Sequence, residues 1–188
     1  MLDTEKKESI KTLLLALWKK SDESYNRSEY VALSNALQLY YDKLNKNDSL
    51  FPCFNTFYEF LRDEFVNTIA EHKVKEKDFD ISNFLYVLRP FYNGGEFDYL
   101  LNAKENLDLL KQRFIVFELD NIKDHPILFP VVTIIIMEVF ISKMRKLKGI
   151  RKMILIEEAW KAIAKEGMAE YIKYLFKTVR KFYGVAVS

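Results

Sequence analysis

The sequence predicts an α/β fold preceded by an all-helical half. Three observations carry this reading. All five glycines fall in the second half, the first at Gly94, so the residues before it have few left-handed turns written into them. Apolar side chains in that first half recur at three- and four-residue spacing, the period of a helix with one buried face. After Gly94, short apolar runs alternate with helical stretches. The resulting order is strand, helix, strand, helix, strand, the signature of a parallel α/β unit.

Taken in order, residues 3–20 place Ile10, Leu13, Leu14, Leu17 and Trp18 on one helical face. After a polar break at 22–28, Ser28 is the expected cap of a second helix running to about Asn45, with Val31, Leu37, Tyr40 and Leu44 inward. Thr56 and Glu59 form a T-x-x-E capping box before a helix carrying Phe57, Tyr58, Leu61, Phe65 and Ile69. Asp80 caps a short helix that Pro90 stops. Asn93-Gly94-Gly95 marks a turn. Phe114–Phe117 reads as a strand buried on both faces. Pro126 and Pro130 bracket the start of a long helix, about 131–147, that ends at Gly149 with Lys143, Arg145, Lys146 and Lys148 near its negative pole. Met153–Ile156 is a second buried strand. A helix over about 168–183 follows, and Val185–Val187 opens a third strand. A parallel sheet seldom stops mid-strand, so the chain is expected to be a piece of a larger protein.

Composition removes several function classes. At 188 residues the chain can bury roughly 70% of its unfolded surface without staples. The single cysteine, Cys53, excludes a disulfide framework and a Cys-rich zinc site. His72 and His125 are too far apart in sequence to suggest a histidine metal site. The net charge of +2 does not mark a dedicated nucleic-acid binder. The charge is uneven, however. Residues 1–92 hold 13 Lys and Arg against 15 Asp and Glu, and residues 93–188 hold 16 against 12. The second half therefore allows weak, salt-sensitive nucleic-acid contact. There is no signal-peptide pattern, and the longest apolar run, Pro126–Met137, is about half a membrane span. The chain is expected to be soluble and intracellular.

The informative motif is Met153-Ile154-Leu155-Ile156-Glu157-Glu158-Ala159-Trp160, four apolar residues running into two carboxylates. In open α/β sheets ligands sit at the carboxyl ends of strands. Two carboxylates there can orient a hydrated Mg²⁺ and position an attacking water, as phosphoryl transfer requires. The same pair is also accounted for as first-turn residues of a helix, favoured by its dipole. Arg180 and Lys181 are candidates for contact with a nucleotide on a neighbouring subunit, or for a solvated helix end.

The chain resembles the TraG-type ATPases of conjugative transposons, a branch of the P-loop ATPases of type IV secretion. The stretches that carry the likeness are Asn55–Phe60, Gly94–Asn102, Arg113–Asp120, Ile154–Lys161 and Thr178–Lys181, and it spans the whole length. The resemblance implies a RecA-like P-loop core over residues 93–188, with residues 1–92 as a helical subdomain inserted in it. It implies ATP and Mg²⁺ as cofactors and hydrolysis coupled to channel assembly or to DNA and protein transfer. It also implies a ring, with six subunits expected, working with other conjugation proteins at the cytoplasmic face of the bacterial inner membrane. By position Glu158 would be the catalytic carboxylate, Glu157 the magnesium-side acid and Arg180 the trans contact. Two departures stand out. The first acid is Glu157, where these ATPases usually carry Asp. No G-x-x-x-x-G-K-[ST] occurs, since Gly94-Gly95 is followed by Glu96. That loop supplies the phosphate cradle, so the chain alone is expected not to hydrolyse ATP or to hold a nucleotide. The competing reading is a non-enzymatic helical module that docks a partner of the conjugation machinery.

Overall fold

The computed structural model describes residues 4–19, 23–104, 109, 111–157, 179 and 184–187. The chain divides into two compact units, Met1–Lys19 with Glu23–Asn106, and Lys20–Asp22 with Leu107–Ser188.

The first unit is helical. Helix α1 spans Thr4–Trp18, α2 Arg27–Lys46, α3 Phe54–Phe60, α4 Val66–Glu71, α5 Ile81–Leu88 and α6 Asp98–Leu101. A π-helical turn, Leu61–Phe65, joins α3 to α4. Its Leu61 and Phe65 are buried while Arg62, Asp63 and Glu64 face outward. Helix α2 begins earlier than the sequence suggests. The Asn26 side chain accepts from the Glu29 N–H at 2.8 Å, and Glu29 accepts from the Asn26 N–H at 2.8 Å. This N-x-x-E box satisfies two orphan donors. Ser28 has Val31 three residues on and cannot be answered that way, so Asn26 wins the cap. One face of α2 then buries Ala32, Leu33, Ala36, Leu37 and Tyr40, and leaves Val31, expected inside, on the surface.

The box expected at Thr56 and Glu59 is shifted by one turn. Helix α3 starts at Phe54, and Thr56 is its third residue, accepting from the Cys53 N–H at 3.2 Å. Glu59 instead takes a hydrogen bond from the Tyr92 hydroxyl at 2.9 Å. Asp80 caps α5 as expected, accepting from Asn83 N–H at 2.8 Å, and a 3₁₀ turn holding Pro90 follows. The core is aromatic. Trp18 meets Phe84 edge-on at 5.0 Å and Phe79 at 5.7 Å, while Phe91 links Phe54 to Phe97.

Tyr40 gives this unit an alkaline limit. Its hydroxyl lies 2.5 Å from Thr56 Oγ1, and burial pushes the phenol up to about 12. A phenol harder to ionise when folded stabilises fully below its unfolded pKa, near 10. That contribution is lost as pH climbs from about 10 through about 12. A two-unit difference corresponds to about 2–3 kcal/mol. The unfolding free energy from urea titration should be lower at pH 12 than at pH 9 by about 2–3 kcal/mol in the native chain, and by clearly less in Tyr40→Phe.

The second unit pairs a long helix with a small sheet. Helix α7 runs Leu128–Lys146, and strands β1 (Lys152–Leu155) and β2 (Gly184–Val187) are parallel, with Lys152 opposite Gly184 and Leu155 opposite Val187. Phe129, Met137, Ile141 and Met144 of α7 form a cluster with Val179, and Ile154 and Ile156 pack against it. Two strand expectations are corrected here. Strand β1 is half-buried, with Met153 and Leu155 on an open face. Phe114–Phe117 is no strand: it pairs with nothing among the described residues, and Phe114 is 85% exposed. A four-residue apolar run has no period of its own, and only a ladder partner makes it a strand. The helix expected over 168–183 lies outside the described residues except at Val179. No helix among the described residues is long and apolar enough to cross a membrane.

Candidate functional site at the carboxyl end of β1

Strand β1 delivers one carboxylate to the end of the parallel pair. The Ile156 N–H donates to Val187 O at 2.9 Å, so pairing persists one residue past the strand. Glu157 follows in a turn, and its side chain is exposed. Ile154 and Ile156 hold the strand against α7, which fixes where the chain leaves the sheet. Glu157 therefore occupies the position where an open α/β sheet receives ligands. Glu158 and Arg180 lie outside the described residues. Of the residues nominated from the sequence, Glu157 is the one that falls among the described residues.

The donor chemistry at Glu157 suits magnesium. That ion prefers oxygen, keeps several waters, and takes one or two protein carboxylates alongside substrate phosphates. Among the described residues no group of three or more His, Cys, Asp or Glu is gathered to hold a metal by itself. A single exposed carboxylate is compatible with an ion shared with a nucleotide.

The Gly94-Gly95 turn is built for a different task from cradling phosphate. Asn93 N–H donates to Asn55 Oδ1 at 2.9 Å, Gly94 N–H to Asp98 Oδ2 at 3.0 Å, and Gly95 N–H to Tyr92 O at 2.8 Å. A phosphate loop needs amides that point outward and unclaimed. Here all three are spent inside the first unit. Gly95 is also the closest backbone approach in the turn: a Cβ there would meet Pro90 O at 2.3 Å and Pro90 C at 2.6 Å. Neither atom can swing aside. Gly95→Ala should cost about 1–3 kcal/mol or more by overpacking. At Gly94, φ is +75° and nothing lies within 4 Å, so alanine there meets only the left-handed penalty of about 1–2 kcal/mol. Chemical denaturation of both variants checks this ranking, and equal losses would show that the close approach to Pro90 is relieved.

Family comparison decides what this arrangement belongs to. The family model of the TraG P-loop domain matches residues 1–188. The chain belongs to this family. No curated protein and no solved structure matches it. Membership in the TraG P-loop domain family agrees with the resemblance carried by the acidic pair and its neighbouring motifs. It also gives a context to a parallel strand that ends in Glu157. The helical first unit, which holds no described metal-ligand cluster, is part of the same family match. One link in this TraG P-loop domain was not legible beforehand. The Lys143 ammonium donates to the Leu109 and Gln112 carbonyls, 34 and 31 residues away in sequence. Nothing in the basic run around Lys143 points to those two carbonyls.

Proposed function

We propose that this TraG P-loop domain forms part of a conjugation ATPase of the type IV secretion class. In this reading ATP hydrolysis is coupled to channel assembly or to transfer of DNA and protein. The observation that carries it is the exposed Glu157 at the carboxyl end of a parallel strand, directly before Glu158, in a chain matched end to end by the family. Glu158 is assigned the role of orienting the attacking water and accepting its proton. Glu157 is assigned to the magnesium side, and Arg180 to a nucleotide on an adjacent subunit. Magnesium would supply charge neutralisation on the phosphates. Residues 93–188 would belong to a RecA-like core, with residues 1–92 inserted as a helical subdomain. The working state would be a ring, with six subunits as the expected number. It would act with other conjugation proteins at the cytoplasmic face of the inner membrane.

The 188 residues contain no phosphate-cradling G-x-x-x-x-G-K-[ST], and the Gly94-Gly95 amides are occupied. The phosphate-binding loop must then come from another segment or chain. The purified 188-residue chain should release phosphate from Mg-ATP at the background rate. Restoring a P-loop-bearing partner segment should raise the rate well above it. Release by the chain alone, abolished in Glu158→Gln, would refute the divided-site reading.

A further inference from the structure

The amino end of β1, opposite Glu157, carries a second chemical surface. From Lys143 to Lys152 there are six cations and no carboxylate. The negative pole of α7 accounts for cations within its last turns. It does not account for Lys148 and Arg151, which lie beyond the helix end at Lys146. Lys146, Lys148 and Arg151 are all exposed. Lys143 instead ties down the chain before Phe114, through the carbonyls of Leu109 and Gln112. Arg113 and Phe114 follow Gln112 directly, so α7 anchors an exposed arginine and a ring that is 85% exposed. Leaving such a ring in water forgoes the gain of burying it.

We propose that Arg113, Phe114, Lys146, Lys148 and Arg151 form a binding strip for single-stranded nucleic acid. The four cations take phosphates, and Phe114 offers its face to an unstacked base. Acid-free cations beside an open aromatic are the two components such sites combine. A duplex hides its base faces and would leave Phe114 unused. Six residue steps along β1 and its continuation, or roughly 20 Å of extended chain, separate Arg151 from Glu157. The strip is therefore independent of the acidic site and of the ATPase reading.

Fluorescence anisotropy of the 188-residue chain with a labelled 20-nucleotide oligothymidylate tests this. Four phosphate contacts on a single strand predict a slope of about −3 in log K against log salt. Affinity should thus fall about 50-fold between 50 and 200 mM NaCl. The triple variant Lys146→Gln, Lys148→Gln, Arg151→Gln should reduce that slope to about −1. Phe114→Ala should weaken binding about tenfold and leave the slope unchanged. All substituted side chains are exposed, and circular dichroism confirms the fold of each variant. No binding at 50 mM NaCl, or wild-type binding by the triple variant, would overturn the proposal. So would binding of phosphatidylserine vesicles in place of the oligonucleotide, which would mark a membrane-facing strip.

Discussion

Replacing Phe84 with alanine should remove about 3–5 kcal/mol of stability, the range for deleting a buried aromatic. The ring is fully buried and stands at the junction of α1 and α5. It touches Trp18 edge-on at 5.0 Å and Phe79 at 5.6 Å, in a tilted pairing. The neighbouring Asn83 accepts a hydrogen bond from the Trp18 indole at 2.9 Å. That polar contact is held in place by the packing below it. Truncation would leave a cavity lined by Trp18 and Phe79, whose stiff rings cannot collapse into it. Domains of this kind are stable by only about 5–15 kcal/mol in total, so the variant should unfold at far lower urea. Tyr86→Ala, two residues on and 80% exposed, should stay within about 0.5 kcal/mol. A Phe84→Ala loss below 1 kcal/mol would mean that α1 does not depend on this cluster.

The contrast between Phe84 and Tyr86 also shows what sequence can and cannot reveal. Helical spacing tells which stripe is apolar, and Leu14, Leu17, Trp18, Leu37, Tyr40, Phe57 and Phe65 are buried as that spacing predicts. Caps are harder, because competing signals lie within one turn. Ser28 is a good cap by residue type, yet Asn26 has Glu29 to answer it. Thr56 serves inside the helix because Cys53 N–H reaches it first. Strands are harder still, since a strand is a relation between two segments. Met153–Ile156 finds Val185–Val187 and becomes half of a ladder, whereas Phe114–Phe117 has no partner among the described residues. The need for glycine at position 95 depends on Pro90 O, five residues back. No local pattern announces that approach. The site was legible only to the extent that a strand ending in an acid fixes its own address. Glu157 stands at that address, while the Lys143 tether to Leu109 and Gln112 depends on folding.

The largest effect on activity is expected from Glu158→Gln, measured in the protein that unites this domain with a phosphate-binding loop. Glutamine keeps the shape of the side chain and removes its negative charge and its basicity. A residue that positions water and takes its proton contributes about 10²- to 10⁴-fold, or about 2.7–5.5 kcal/mol of barrier. Phosphate release should fall by that factor. Nucleotide affinity, read with a fluorescent ATP analogue, should change less than about threefold. Such a split separates loss of chemistry from loss of binding. Glu157→Gln should behave differently. A magnesium-side acid binds through the metal, so its loss should weaken Mg-ATP and should be partly restored by raising Mg²⁺. Glu157 follows a strand fixed by Ile154 and Ile156, so its removal should leave the fold unchanged. If Glu158→Gln turns over at the native rate, the acid pair serves only to begin a helix, and the interaction-module reading takes precedence.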